Sequence, residues 1–269
     1  RSSAASDVYK RQKDAALLIL ASQRLALEHG MTINSTKCEN VQFYGGKPYI
    51  FETLIFEKYN EGTNWRAYEE FCRMFLAPLA IMSYTDVRLG QLLKTYLKGV
   101  PLDLACHMLP LSANLHMGLV NHIFKHAKRI KERELGVSKN LTKEKKQQLQ
   151  QVKETLKSLT ECVKSLSFPE AKNEWGNYYK HTSYSDKAFF AKKEIITNYL
   201  DKVKPSLVYD LGSNRGKFSR IASNKKIFTV AFDIDAVAVE KNYLHAKKAK
   251  ETHILPLLQD LTNPSADMG

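Results

Sequence analysis

The spacing of apolar positions changes several times along the chain, and each change marks an element. Leu17, Leu18, Leu20, Leu25 and Leu27 cover much of a helix from Ala15 to His29, with Asp14 placed to cap it and Gly30 to stop it. Alternation then replaces helical spacing in two runs, Asn40–Tyr44 and Pro48–Phe56. Gly45-Gly46 lies between them, the pattern of a β-hairpin. Trp65, Tyr68, Phe71, Cys72, Phe75, Leu76 and Leu79 predict a helix over Trp65–Tyr84, kinked or interrupted by Pro78. Further helices are predicted over Asp86–Leu97, stopped by Gly99 with Pro101 beyond, and over Ser112–Leu135, where Leu115, Leu119, Ile123 and Ile130 share a side. In residues 141–166, Leu149, Val152, Leu156, Leu159, Val163 and Leu166 alternate steps of three and four, a narrow seam at heptad spacing. The two helices read as an antiparallel arm, 112–135 outward and 140–166 returning around Gly136.

Phe168-Pro169 ends that arm, and the aromatic, turn-rich stretch Trp175–Tyr184 follows. Ser185 or Asp186 can cap a helix reaching Leu200, and Pro205 separates it from a strand at Leu207–Tyr209. A short helix over Gly216–Ala222, a strand at Ile227–Phe232, a helix over Ala236–Ala249 and a strand at Ile254–Leu258 complete the pattern. Strand–helix repeats of this kind imply a parallel sheet. Arg1–Gln12 has no periodicity and reads as a translated adapter, so it is set aside. The expected organisation is a helical module with a hairpin over 13–111, a basic helical arm over 112–168 and an α/β domain over 169–269.

The 269 residues, 43% hydrophobic, are enough for one large or two modest cores. The net charge of +13 is concentrated: residues 125–166 hold 12 Lys/Arg against 5 Asp/Glu. That stretch is either a solvated face or a platform for an acidic partner such as RNA or a carrier protein. Cys38, Cys72, Cys106 and Cys162 form no C-x-x-C pair and fit reduced thiols in a cytoplasmic setting. No apolar run approaches the roughly 20 residues of a membrane span, so no membrane association is expected.

The chemistry is concentrated at Asp210-Leu211-Gly212-Ser213-Asn214-Arg215-Gly216. An apolar strand stops at an acid, and a glycine-containing turn leads into a helix. That arrangement is expected to offer backbone N–H groups and a helix end to a ligand. Asp233 closes the second strand and Asp260 the third, so three carboxylates fall along one edge of the sheet, where ligands bind in open α/β folds. A dinucleotide fingerprint would need glycine at the positions of Asp210 and Arg215, which counts against NAD.

On these residues the segment 206–262 resembles the first half of a class I S-adenosylmethionine-dependent methyltransferase. DLGSNRG (210–216) stands for its first motif, AFDID (231–235) for its second and LLQDL (257–261) for its third. From about Asn40 onward the chain resembles bacterial two-part, nodulation-protein-like methyltransferases. The matching stretches include NVQF (40–43), FCRMFLAPLAIMSY (71–84), GVPLDLACHMLP (99–110), the YSD–KKEI lead-in and ILPLLQDLTNPS (254–265).

The resemblance implies a Rossmann-like α/β domain, incomplete after its first three parallel strands, preceded by a mainly helical module with a small hairpin. It also implies S-adenosylmethionine as cofactor and an unidentified methyl acceptor. Asp210, Gly212, Ser213, Asn214 and Gly216 would hold the methionyl part, and Asp233 the ribose hydroxyls. Asp260 would face the adenine amino group, with Ile234 and Leu261 against the ring. Lys192 or Lys193 could reach the cofactor carboxylate, the alternative being a solvated helix face. A domain of this family continues beyond a third strand, so the chain is expected to be a C-terminally truncated and inactive fragment with an exposed sheet edge.

Other candidates are weaker. His122 and His126 could share a metal at i, i+4 or pack as ordinary histidines. Ser35–Asn40 and Glu52 faintly echo a phosphoryl-transfer loop, and Asn263-Pro264-Ser265 an adenine-methyltransferase motif displaced to the wrong strand. A non-catalytic scaffold or an RNA-binding protein on the same fold remains the alternative function.

Overall fold

In the computed structural model of the protein, the described residues are 9–136, 145–167 and 185–262. The adapter-like residues before Tyr9, the reversal after Gly136, the Trp175–Tyr184 stretch and Asn263-Pro264-Ser265 lie outside them.

Helix α1 (Tyr9–Glu28) begins earlier than its leucine pattern predicts. Nothing between Tyr9 and Asp14 breaks a helix, and the Tyr9 ring is buried in the main apolar core. Tyr9–Gln12, set aside on sequence grounds, are therefore part of this helix. Asp14 does not cap it. Its carboxylate accepts a hydrogen bond from Tyr243 Oη at 2.9 Å and pairs with Lys247.

Strands β1 (Met31–Ile33), β2 (Val41–Tyr44), β3 (Lys47–Ile50) and β4 (Phe56–Lys58) form two antiparallel pairs, β1 with β4 and β2 with β3. Val41 faces Ile50 and Tyr44 faces Lys47. Gly45 and Gly46 make the turn with φ of +54° and +72°, a combination that glycine adopts without steric cost. The predicted second run is split, because Glu52 accepts from the Leu54 N–H and starts a 3₁₀ turn over Thr53–Ile55 before β4.

The 65–84 helix is also divided. It comprises α2 (Tyr68–Phe71), a π-helical turn over Cys72–Leu76 and α3 (Ala77–Tyr84). Pro78 has no N–H to give the Met74 carbonyl four residues back. That carbonyl instead accepts from Gln12 Nε2 at 3.4 Å. After a 3₁₀ turn over Val87–Gln91 come α4 (Leu92–Thr95) and α5 (Leu102–Met108).

The predicted 112–135 helix is a 3₁₀ turn (Leu111–Leu115), α6 (Met117–Leu119), a π turn (Val120–Phe124) and α7 (Lys125–Glu134). Helix α8 (Lys145–Ser165) packs against α1 and α6. Its seam, Val152, Leu156, Leu159, Val163 and Leu166, is buried in the same core as α1 and α3. It therefore belongs to the helical module's core instead of closing an arm on itself. A Cβ at Gly118 would lie 2.6 Å from Cys162 Sγ, which shows how closely α6 and α8 approach.

The second half is an α/β unit: α9 (Asp186–Val203), β5 (Leu207–Leu211), α10 (Ser219–Asn224), β6 (Phe228–Asp233), α11 (Ala236–Ala249) and β7 (Ile254–Leu258). The three strands are parallel in the order β5-β6-β7. Ser185 caps α9 and Asp235 caps α11, each accepting from backbone N–H groups of the first turn. The α/β unit docks on the helical module through α1 and α11.

A buried polar chain crosses the helical module. Tyr68 Oη lies 2.8 Å from His122 Nδ1, and His122 Nε2 lies 2.8 Å from Ser158 Oγ. The His126 ring stacks on Tyr68 at 4.6 Å. Both nitrogens of His122 are thus engaged by hydroxyls, and among the described residues no group of three His, Cys, Asp or Glu is arranged for a metal. Burial first, then the neighbouring His126 and Arg129, lowers the His122 pKa to about 4. Burial also lowers that of His126.

An unfolded histidine titrates near ~6.5. As pH falls below that value, the unfolded chain takes up protons that the folded chain refuses, and stability declines until His122 itself protonates. Urea unfolding should therefore show a lower midpoint at pH 5 than at pH 7. His122→Gln should be less stable at pH 7 but lose less between the two. Equal losses in both proteins would remove His122 as the responsible group.

Candidate ligand-binding site

Beyond β5 the backbone turns sharply. Gly212, Asn214 and Gly216 have φ of +78°, +51° and +70°. Asn is among the few side chains that tolerate this left-handed region. The sequence pattern predicts a helix from Gly216, but α10 starts only at Ser219 and is six residues long. The helix end is therefore too far on and too short to act on a ligand at the turn.

The amides of the turn are also committed inward. Gly212 N and Ser213 N both donate to the Phe232 carbonyl, at 3.0 and 2.9 Å. Asn214 N donates to Asp233 Oδ2 at 2.7 Å, Arg215 N to Asn214 Oδ1 at 2.9 Å, and Gly216 N to the Ser213 carbonyl at 2.8 Å. The expected row of ligand-facing N–H groups is absent, because the neighbouring strand and the turn's own oxygens take each of them.

The carboxylates are ordered in the same way. Asp210 Oδ2 accepts from Ser219 Oγ at 2.6 Å. Asp233 Oδ1 accepts from Asp235 N at 2.8 Å, so one carboxylate holds both the β5 and the β6 turns. Asp235 Oδ1 caps α11 through Val237 N and Ala238 N. Asp260 Oδ1 accepts from Thr262 N and Oγ1 at 2.8 and 2.7 Å.

These four acids line a cavity of about 630 Å³ at the C-terminal ends of the strands. Gly212, Ser213, Asn214, Ile234 and Leu261 line it as well, so the sequence-selected residues converge there with one exception. Gly216 is not in the wall. It is buried behind the turn, where an added Cβ would stand 2.6 Å from Asn242 Nδ2. Lys192 lines the cavity and Lys193 does not.

Several lining residues have no counterpart in the sequence-level selection: Phe189, Ile196, Phe218, Asp235, Gln259 and Thr262. A signal for two of them was present, since Phe189, Lys192 and Ile196 are spaced three and four apart and share one face of α9. The Phe189 and Phe218 rings lie 5.1 Å apart, and the Lys192 ammonium sits 4.4 Å from the Phe218 centroid.

The left-handed backbone at residue 214 gives a direct test. Asn214→Gly and Asn214→Val both lose the Oδ1 acceptor of Arg215 N, but glycine keeps the left-handed backbone without strain. Asn214→Val should be less stable than Asn214→Gly by about 1–3 kcal/mol in denaturant unfolding, since a β-branched residue is strained at positive φ. Equal stability of the two variants would contradict the turn geometry.

In comparison with known proteins, the chain is 27% identical over 261 residues to the nodulation protein NoeA of Rhizobium meliloti (strain 1021). The similarity covers 96% of this chain and 55% of that protein, so the chain spans just over half of the relative's length. No family model matches the sequence, and no solved structure matches it.

Proposed function

We propose that the cavity binds S-adenosylmethionine and that the chain carries the cofactor-binding part of a methyltransferase whose acceptor is unidentified. The observation that carries this reading is the charge and donor pattern of the wall. Four carboxylates line it, Lys192 is the basic side chain among the lining residues, and the turn's amides are used elsewhere. A pyrophosphate needs N–H donors and positive charge and would meet repulsion here. A ligand with sulfonium and ammonium charges and a diol suits the same wall.

The residues fit the parts of that ligand. A carboxylate has about four lone-pair sites. The two backbone bonds on Asp233, one per oxygen, leave acceptor capacity for a ribose diol. Ile234 and Leu261 are 62% and 58% exposed beside Asp233 and Asp260, positioned to flank a flat ring. Asp210 and Lys192 both line the cavity and would take the methionyl end, a carboxylate and an ammonium for an amino-acid zwitterion. The cavity volume falls within the range of about 300–1,000 Å³ usual for small-ligand sites. The cofactor supplies an electrophilic methyl group. The chain's residues hold and orient it, which is the contribution that proximity makes to such a transfer.

Titration calorimetry of the chain with S-adenosylmethionine and S-adenosylhomocysteine should show saturable, mutually competitive binding that NAD does not displace. Asp233→Asn should weaken it by about 10- to 150-fold, the equivalent of ~1.5–3 kcal/mol for a charged hydrogen bond. No heat with either ligand, or unchanged affinity in the variant, would sink the proposal.

A further inference from the structure

The side of the glycine turn facing away from the cavity is gripped by Arg220, near the start of α10. Its Nη1 donates to the Arg215 carbonyl at 2.8 Å and to the Gly216 carbonyl at 3.0 Å. The other side of the same guanidinium is bidentate to Glu251, Nε to Oε1 and Nη2 to Oε2, both at 2.9 Å. Four donor directions of one planar group are thereby occupied, an arrangement a lysine ammonium cannot reproduce. The two side chains are only 14% and 18% exposed.

We infer that Arg220 is a positioning residue of the site, fixing the 212–216 turn through its carbonyls while Glu251 fixes Arg220. Three of five successive residues in this turn have positive φ, a backbone that persists only where its surroundings determine it. Gly216 has no side chain because that space is filled: a Cβ there would lie 2.8 Å from Arg220 Nη1 and 2.6 Å from Asn242 Nδ2. Asn242 is buried, and among the described residues neither of its amide atoms has a hydrogen-bond partner. It fills the space without holding the turn. The polar grip from this side belongs to Arg220, and His245 approaches the same Glu251 carboxylate from α11 at 3.8 Å.

The test separates the turn from the fold and from the ligand. Amide hydrogen exchange of the 212–218 segment should speed up at least tenfold in Arg220→Lys, while amides of β5 and β7 follow only the global change. Paired reversal, Arg220→Glu with Glu251→Arg, should recover the melting temperature lost in Arg220→Glu alone without recovering protection of the turn. Reversal restores the ion pair but not the carbonyl donors. Should Arg220→Glu fail to fold, Glu251→Gln replaces it, with an expected intermediate rise in turn exchange. Unchanged turn exchange in Arg220→Lys, or full recovery of protection by the reversed pair, would reduce Arg220 to an ordinary ion pair and overturn the inference. The affinity arm rests on the S-adenosylmethionine reading: S-adenosylhomocysteine should bind Arg220→Lys at least fivefold more weakly than the parent. If the parent binds none, that reading fails while the exchange result still decides the role of Arg220.

Discussion

Asp233 is the point through which the three loops of the site are joined. Its two carboxylate oxygens take the amides of Asn214 and Asp235, and its main-chain carbonyl takes the amide of Gln259. One residue thus touches the turns after β5 and β6 and the segment after β7. Losing the carboxylate would strand two amides, and an unsatisfied buried donor costs on the order of 1–3 kcal/mol. The same group that would meet a ligand diol also sets the shape of the surface around it. Binding and local order are therefore not separable at this residue.

Much of the α/β unit was legible in the sequence. Helix α11 and strand β7 have the bounds their patterns predict, because an acid caps the helix and the change of period is sharp. The order of Asp210, Asp233 and Asp260 along one sheet edge followed from parallel pairing. The direction of the turn's amides did not. Their acceptors are the Phe232 carbonyl and the Asp233 carboxylate, which come from the next strand and leave no trace in the local pattern. The choice between Lys192 and Lys193 needed the rotational phase of α9, which only its packing sets.

In the helical module, heptad spacing identified the buried face of α8 correctly but not its partners. A seam of leucines says that something covers it, and here α1 and α6 do. The short strands β1 and β4, three residues each, were too brief to show alternation. The two π turns also have no sequence signature of their own. One precedes Pro78, and the other holds His122 between Tyr68 and Ser158. Three of the four cysteines are buried, and burial raises the Cys162 pKa to about 12. These thiols act as small apolar groups, not as reactive ones.

Tyr243 gives the site a remote partner. It lies midway along α11, the helix that Asp235 caps beside the cavity. Its hydroxyl bonds Asp14 of α1 at 2.9 Å, and its ring meets Phe43 of the hairpin edge-on at 6.4 Å. A ligand that tightens the start of α11 would act on a helix whose middle touches the β2–β3 hairpin, and thermodynamic linkage runs both ways. Whatever docks on that hairpin would bear on the helix that begins beside the cavity.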